Sequence, residues 1–191
     1  MTTHSSRWRT GYGFLVLSLI CLPLASQGAQ NGKIDSKQLR APIRSFENLI
    51  AEVVKATLPG DFGVVQDPKG AFVPDTGYNF WFMVNVNRGV INSPFGQLRG
   101  PAPSQEMKKQ KLATLKEMLV QLLYSHGSSM PMLLSRDKTI TIVARFEDFT
   151  PDEGTVDKTL ILSVTKGDID ESLSKQLSIN EFKNRVKIFE Y

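Results

Sequence analysis

YNFWFMVNVN, residues 78–87, is the stretch that decides the fold of this chain. Every second position carries a large apolar side chain: Phe80, Phe82, Val84 and Val86. Side chains on a β-strand point alternately to opposite faces, so this alternation predicts a strand with one face in a hydrophobic core. Such a core face needs further strands and helices around it.

The same two-residue alternation recurs twice towards the C-terminus and predicts two more strands, which the acidic segment 147–157 joins as a hairpin. Upstream, two short strands are predicted over 62–66 and 71–73, with a turn at 67–70 between them and a second turn at 74–77. The alternating apolar residues of the two C-terminal strands are Ile140, Ile142, Ala144, Phe146, Leu160, Leu162 and Val164.

Apolar residues at helical spacing predict two longer amphipathic helices, one from Pro42 to the Pro59-Gly60 stop and one ending at His126. Asp168 with Glu171, and Ser178 with Glu181, have capping-box spacing and predict two short C-terminal helices before a last strand at 186–191. The stripe of the first helix consists of Ile43, Phe46, Ile50 and Val53. The stripe of the second helix consists of Leu112, Leu115, Leu119, Leu122 and His126.

This order of elements predicts an α+β fold: a mostly antiparallel sheet of about five strands, with the two longer amphipathic helices and the short C-terminal helices packed on it. The polar segment 30–41 is expected to be a flexible lead-in, and 42–191 to form a single domain.

The N-terminal residues 1–29 have the layout of a secretory signal peptide. Arg7 and Arg9 precede an apolar run from Gly13 to Leu24, and small residues follow it. The run is shorter than the roughly 20 residues that span a bilayer. We expect cleavage near Gly28 or Ala29, with an uncleaved membrane anchor as the alternative.

Cleavage would leave 21 basic and 19 acidic residues and would remove the only cysteine. This charge balance lacks the Lys/Arg excess typical of nucleic-acid binding. An exported chain without disulfides or glycosylation sequons fits a bacterial envelope. We therefore expect a periplasmic or secreted protein that contacts a membrane only through an uncleaved N-terminal segment.

His126 is the only histidine downstream of the leader, and serines surround it in LLYSHGSSMPM, residues 122–132. A histidine in the last helical turn complements the helix dipole, and Gly127 is expected to follow in the left-handed conformation of a helix stop. A catalytic interpretation would pair His126 with Ser128 or Ser129, but the sequence supplies no third, orienting group. The helix stop is the favoured interpretation.

Other chemical motifs are weak. One histidine without cysteine is too few for the usual transition-metal site. The acidic segment 147–157 and the group at 168–171 both lack the spacing of a calcium loop, although calcium at the first stays open. Two Ser-x-x-Lys matches, Ser135 to Lys138 and Ser172 to Lys175, lack the companion motifs of penicillin-recognising enzymes. We expect no catalytic residue, no metal and no cofactor.

The second face of the strand 78–87 is the one region where binding is predicted. It carries aromatic, sulfur-containing and amide side chains, and the Gly- and Pro-rich loop 88–104 follows it directly. Coverage of this face by helices, or of Trp81 by the long loop, is the favoured interpretation, and the alternative is an exposed patch that binds a partner, because tryptophan and methionine are enriched at interface cores. The predicted partner-binding residues are Trp81, Met83, Asn85, Asn87, Arg88, Phe95 and Arg99.

The sequence thus predicts a non-catalytic exported protein that binds another envelope protein or a peptide. Two alternatives stay open: a hydrolase that uses serine, His126 or carboxylates, and an accessory subunit tethered to the membrane by its N-terminal segment.

Overall fold

A computed structural model of the chain describes residues 36–58, 62–86, 90–93, 96–99, 103–130, 135–147 and 158–191. Within these ranges the elements follow one another as α1 (Ser36–Thr57), β1 (Gly63–Val73), β2 (Gly77–Asn85), β3 (Val90–Ser93), β4 (Gly96–Arg99), α2 (Gln105–His126), β5 (Thr139–Glu147), β6 (Lys158–Thr165), α3 (Lys166–Ser174), α4 (Ile179–Lys183) and β7 (Lys187–Glu190).

Five strands form one sheet in the order β1-β2-β5-β6-β7, and β3 pairs with β4 in a separate two-stranded sheet. In the larger sheet the neighbours β2 and β5 are parallel, and the three other pairs are antiparallel. All four helices pack on this sheet, which confirms the predicted α+β class with a mostly antiparallel sheet and β5–β6 as a hairpin.

The core lies between one face of the sheet and the helices. The alternating residues predicted from the sequence point into it: Phe80 and Ile142, for example, have no exposed surface. The ring of Phe46 from α1 packs on that of Phe80 with 4.8 Å between their centres. Each helix contributes to this same core, as Phe46, Leu115, Ile169 and Phe182 illustrate.

Helix α1 begins at Ser36, six residues before the predicted start at Pro42. Residues 36–41 are therefore helical, and the prediction of a flexible lead-in is wrong for them. Pro42 lacks an N–H, which the first turn of a helix tolerates best, and this local preference is the reason for the predicted start. Leu39 is buried and extends the apolar stripe of Ile43 and Phe46, so packing on the core holds the extra turns. The predicted signal peptide and residues 30–35 lie outside the described residues.

Strand β1 is one continuous strand, where two short strands and a turn at 67–70 were predicted. Its pairing with β2 shifts register between Val64 and Gln66 and again between Gln66 and Lys69. These irregularities accommodate Pro68, and β1 lies at the sheet edge, where a missing N–H is tolerated. Helix α1 anchors the same stretch, because the Gly70 amide donates to Glu47 Oε1 at 2.7 Å.

The connection from β2 to α2 contains the hairpin β3–β4, so the prediction of a loop without secondary structure over 88–104 is wrong. The preceding turn at 74–77 is confirmed: the Thr76 amide donates to the Val73 carbonyl at 3.1 Å. Gly77 completes this turn with φ = 118°, a conformation that glycine alone adopts readily.

Two predicted helix ends differ in detail. Helix α3 begins at Lys166, because Thr165 is its N-cap and accepts a hydrogen bond from the Asp168 amide at 3.0 Å. Asp168 is thus the third helical residue rather than the N-cap of the predicted capping box, whereas the Ser178–Glu181 capping box of α4 is confirmed. Gly127 ends α2 in right-handed rather than left-handed geometry. A β-carbon there would lie 2.9 Å from Ile169 Cδ1, so close packing of α3 favours the glycine.

The described residues, from Ser36 to Tyr191, belong to one compact unit. None of the helices in the described ranges is both long enough and apolar enough to cross a bilayer.

Candidate protein-binding surface

An apolar row crosses the face of the sheet that points away from the core. Trp81 on β2 lies directly beside Val143 on β5, Val143 beside Ile161 on β6, and Ile161 beside Phe189 on β7. Neighbouring strands lie about 4.8 Å apart, so the row is about 15 Å long from the first backbone to the last. We call these four residues the apolar row.

The apolar row is open. Every described helix packs into the core on the other face, so no helix in the described parts of the chain covers the row. Trp81 is 39% exposed and Phe189 is 54% exposed, while Val143 and Ile161 are half-buried between their neighbours. Single exposed apolar side chains are ordinary on protein surfaces, but a contiguous set marks an interaction site more often than chance.

Polar side chains border the apolar row on one side. Asn79, Thr141, Ser163 and Lys187 lie next to one another across the strands. The hydroxyl oxygens of Thr141 and Ser163 are 3.1 Å apart and share a hydrogen bond. Asn79 Nδ2 donates to Thr76 Oγ1 at 3.2 Å. An apolar centre with a hydrogen-bonded polar border has the composition of a protein interface.

A lysine lies next to each end residue of the apolar row. Lys69 on β1 lies opposite Trp81, and Lys187 follows the same face on β7, close to Phe189. Both side chains are exposed, and neither has a carboxylate partner within the described ranges. The apolar row therefore favours a partner whose apolar contact surface has acidic residues at its edges.

Of the residues predicted for binding, Trp81 and Met83 lie on this open face. Asn85 is only 6% exposed and already makes a polar interaction, so its side chain offers little surface to a partner. Arg99 ends β4, in the hairpin that does not join the larger sheet. Asn87, Arg88 and Phe95 lie outside the described residues.

Three residues of the apolar row were missed by the sequence prediction: Val143, Ile161 and Phe189. The alternation of two strands contained the information for Val143 and Ile161. Both residues alternate with the residues that were predicted to face the core, so they lie on the opposite face of their strands. What the sequence did not supply was the strand order, which places β5 beside β2 and β7 at the edge.

The His126 side chain is exposed at the end of α2. The Ser129 hydroxyl donates to the backbone carbonyl of His126 at 2.6 Å, so this serine caps the helix end. In the two Ser-x-x-Lys matches, each lysine donates to a group other than the matched serine. Lys138 Nζ donates to the Asp75 carbonyl, and Lys175 Nζ donates to Glu171 Oε1. These contacts give the residues structural roles.

The acidic group at the start of α3 is tied to basic side chains. Arg185 donates to Asp168 Oδ1 at 3.2 Å and to Glu171 Oε2 at 2.7 Å. Hydrogen bonds from Lys175 and Arg185 lower the pKa of Glu171 from 4.5 to about 2. Asp170 pairs with the buried Lys166. Arg185 directly follows the C-cap of α4, so its bonds tie the chain between α4 and β7 to α3.

Within the described ranges, no three histidine, cysteine, aspartate or glutamate side chains converge to hold a metal ion. The segment 148–157, where calcium was considered, lies outside those ranges. No protein-family model, no curated protein and no solved structure matches this chain.

Proposed function

We propose that this chain is an exported protein of the bacterial envelope or the extracellular space that binds another protein through the apolar row. The observation that supports the proposal is the register that aligns Trp81, Val143, Ile161 and Phe189 on an open sheet face. Export is proposed from the basic and apolar N-terminal segment alone.

The energetics favour a protein partner over a small solute. The apolar row lies on a sheet face, and no helix of the described ranges forms a wall beside it, whereas small-molecule sites are concave. A protein surface can cover the row together with its polar border and remove Trp81 and Phe189 from water. Buried aromatic side chains of this size dominate binding energies at interfaces, typically more than 1 kcal/mol each when truncated.

The proposed partner has an apolar centre and acidic flanks, which complement Lys69 and Lys187. Exposed charge pairs at an interface rim chiefly accelerate association and make it sensitive to salt. Partner binding is therefore expected to weaken moderately with rising ionic strength, while truncation of Trp81 or Phe189 should remove most of the affinity.

The experiment compares two variants of the exported protein. Trp81→Ala with Phe189→Ala removes both exposed aromatic residues of the row, and Leu173→Ala removes an apolar side chain that is 47% exposed on α3, away from the open face. Proteins retained by the immobilised wild-type chain should be lost with the double variant and kept with Leu173→Ala. Retention of the same proteins by the double variant, with its folding intact by circular dichroism, would refute the proposed surface.

A further inference from the structure

We infer a second, independent site: a cleft between α2 and the end of the sheet that binds a free alkyl carboxylate of medium chain length. The cleft has a volume of about 460 Å³, and a smaller extension of about 160 Å³ adjoins it. This volume falls within the range of roughly 300–1,000 Å³ typical of small-molecule sites. The cleft lies on the helix-covered side of the sheet and does not include the apolar row.

The walls of the cleft are apolar. Leu112 and Ala113 of α2 form one wall, and Phe146 of β5 and Leu160 of β6 form the other. Phe146 and Leu160 are buried by their neighbours, which makes this wall part of the folded core rather than a loose surface. An alkyl chain placed there would lose water contact on both sides, which favours binding by about 25 cal/mol for each Å² of apolar area covered.

Two lysines mark the junction of the cleft with its extension. Lys109 from α2 and Lys158 from β6 line both spaces, so they face the junction from the helix and from the sheet. Lys116 lines the larger cleft but is already paired with Glu190 at 2.7 Å. In the described part of the chain, Lys109 and Lys158 have no carboxylate partner. Their ammonium groups would hold one anionic head group.

The lining distinguishes an alkyl chain from a peptide. Each residue of a peptide brings an N–H and a C=O that must find partners when buried. The apolar walls offer no such partners, and the uncharged polar side chains among the described lining residues are only those of Thr159 and Tyr191 in the larger cleft and Gln105 in the extension. A molecule with one anionic group and an apolar body matches the two lysines at the junction and the apolar walls.

The test uses decanoate, below its micelle concentration, with the purified protein. Calorimetry should show saturable binding, and decanol, which has the same chain without the charge, should bind at least about fivefold more weakly. Lys109→Gln with Lys158→Gln should weaken decanoate binding by at least about fivefold. The matched control, Lys69→Gln with Lys187→Gln, removes two lysines of the open face and should leave the affinity for decanoate unchanged.

A steric variant tests the location. Ala113→Trp places a large ring in the cleft from an exposed helix position and should abolish decanoate binding without changing the lysines. If Ala113→Trp does not fold, decanoate binding by the Lys109→Gln, Lys158→Gln double variant decides whether the inference holds. Absence of decanoate binding to the wild type, equal binding by the Lys109/Lys158 double variant, or binding of anionic phosphatidylglycerol vesicles but not of decanoate would each overturn the inference. None of these results bears on the apolar row.

Discussion

Replacing Tyr78 by phenylalanine should stabilise the protein. Tyr78 has no exposed surface, and its hydroxyl has no hydrogen-bond partner among the described residues. In the unfolded chain the hydroxyl binds water, so folding loses that interaction at a cost of about 1–3 kcal/mol. Phenylalanine keeps the ring, which packs 5.2 Å from Phe72 between centres, and removes the unpaired group.

We expect Tyr78→Phe to raise the free energy of unfolding by about 1–2 kcal/mol, which corresponds to a Tm increase of about 2–8 °C for a chain of this size. Tyr124→Phe is the matched control. The Tyr124 hydroxyl donates to the Leu177 carbonyl at 2.7 Å, so its removal should destabilise the protein by about 1 kcal/mol. Urea unfolding monitored by circular dichroism gives both values.

The pH dependence of the free energy of unfolding provides a second test of the buried Tyr78 hydroxyl. Burial raises the pKa of Tyr78 above its ordinary value of 10.0. An acid whose pKa is raised by folding ionises first in the unfolded chain, so the wild type loses stability as pH rises above about 10. Tyr78→Phe should lose less stability over this pH range. A neutral or destabilising effect at pH 7, or an unchanged alkaline loss, would refute the account of an unpaired buried hydroxyl.

Two further changes test the fold. Gly77→Ala should destabilise the protein by about 3 kcal/mol or more, measured by urea unfolding, because φ is 118° and a β-carbon would overlap the Thr139 carbonyl oxygen; a change below about 1 kcal/mol would contradict this turn. Glu171→Gln should lose less stability than the wild type when the pH is lowered. Lys175 and Arg185 lower the pKa of Glu171 to about 2, so its contribution is complete above 4.5 and disappears as pH falls through 2. Unfolding midpoints at pH 7 and pH 3 measure this, and equal acid losses in variant and wild type would contradict it.

The sequence predicted the fold class and the core residues of the sheet because both depend on short-range periodicity. Phe80, Ile142 and Leu162 were assigned to the core from alternation alone, and all three are buried. The errors arose where tertiary packing overrides a local signal. Pro42 and Pro68 looked like boundaries, but α1 continues through one and β1 through the other.

The candidate site was predicted only in part. Trp81 and Met83 were identified from their own strand, whereas Phe189 lies on a strand of four residues that joins the sheet at its edge. Its position beside Ile161 depends on pairing between distant segments, which no local pattern encodes. The cleft at Lys109 and Lys158 was missed for the same reason, because a helix and a strand far apart in sequence form it.

Photo-crosslinking at Trp81 tests the proposed binding surface most directly. A photo-reactive phenylalanine analogue is placed at position 81, at position 189, or at position 173 on α3 as the control, and the chain is expressed in cells that naturally contain it. Positions 81 and 189 should both form a crosslink to the same protein, and position 173 should form none. Crosslinking to that protein from position 173 alone, or the absence of any crosslink from positions 81 and 189, would contradict binding through the apolar row.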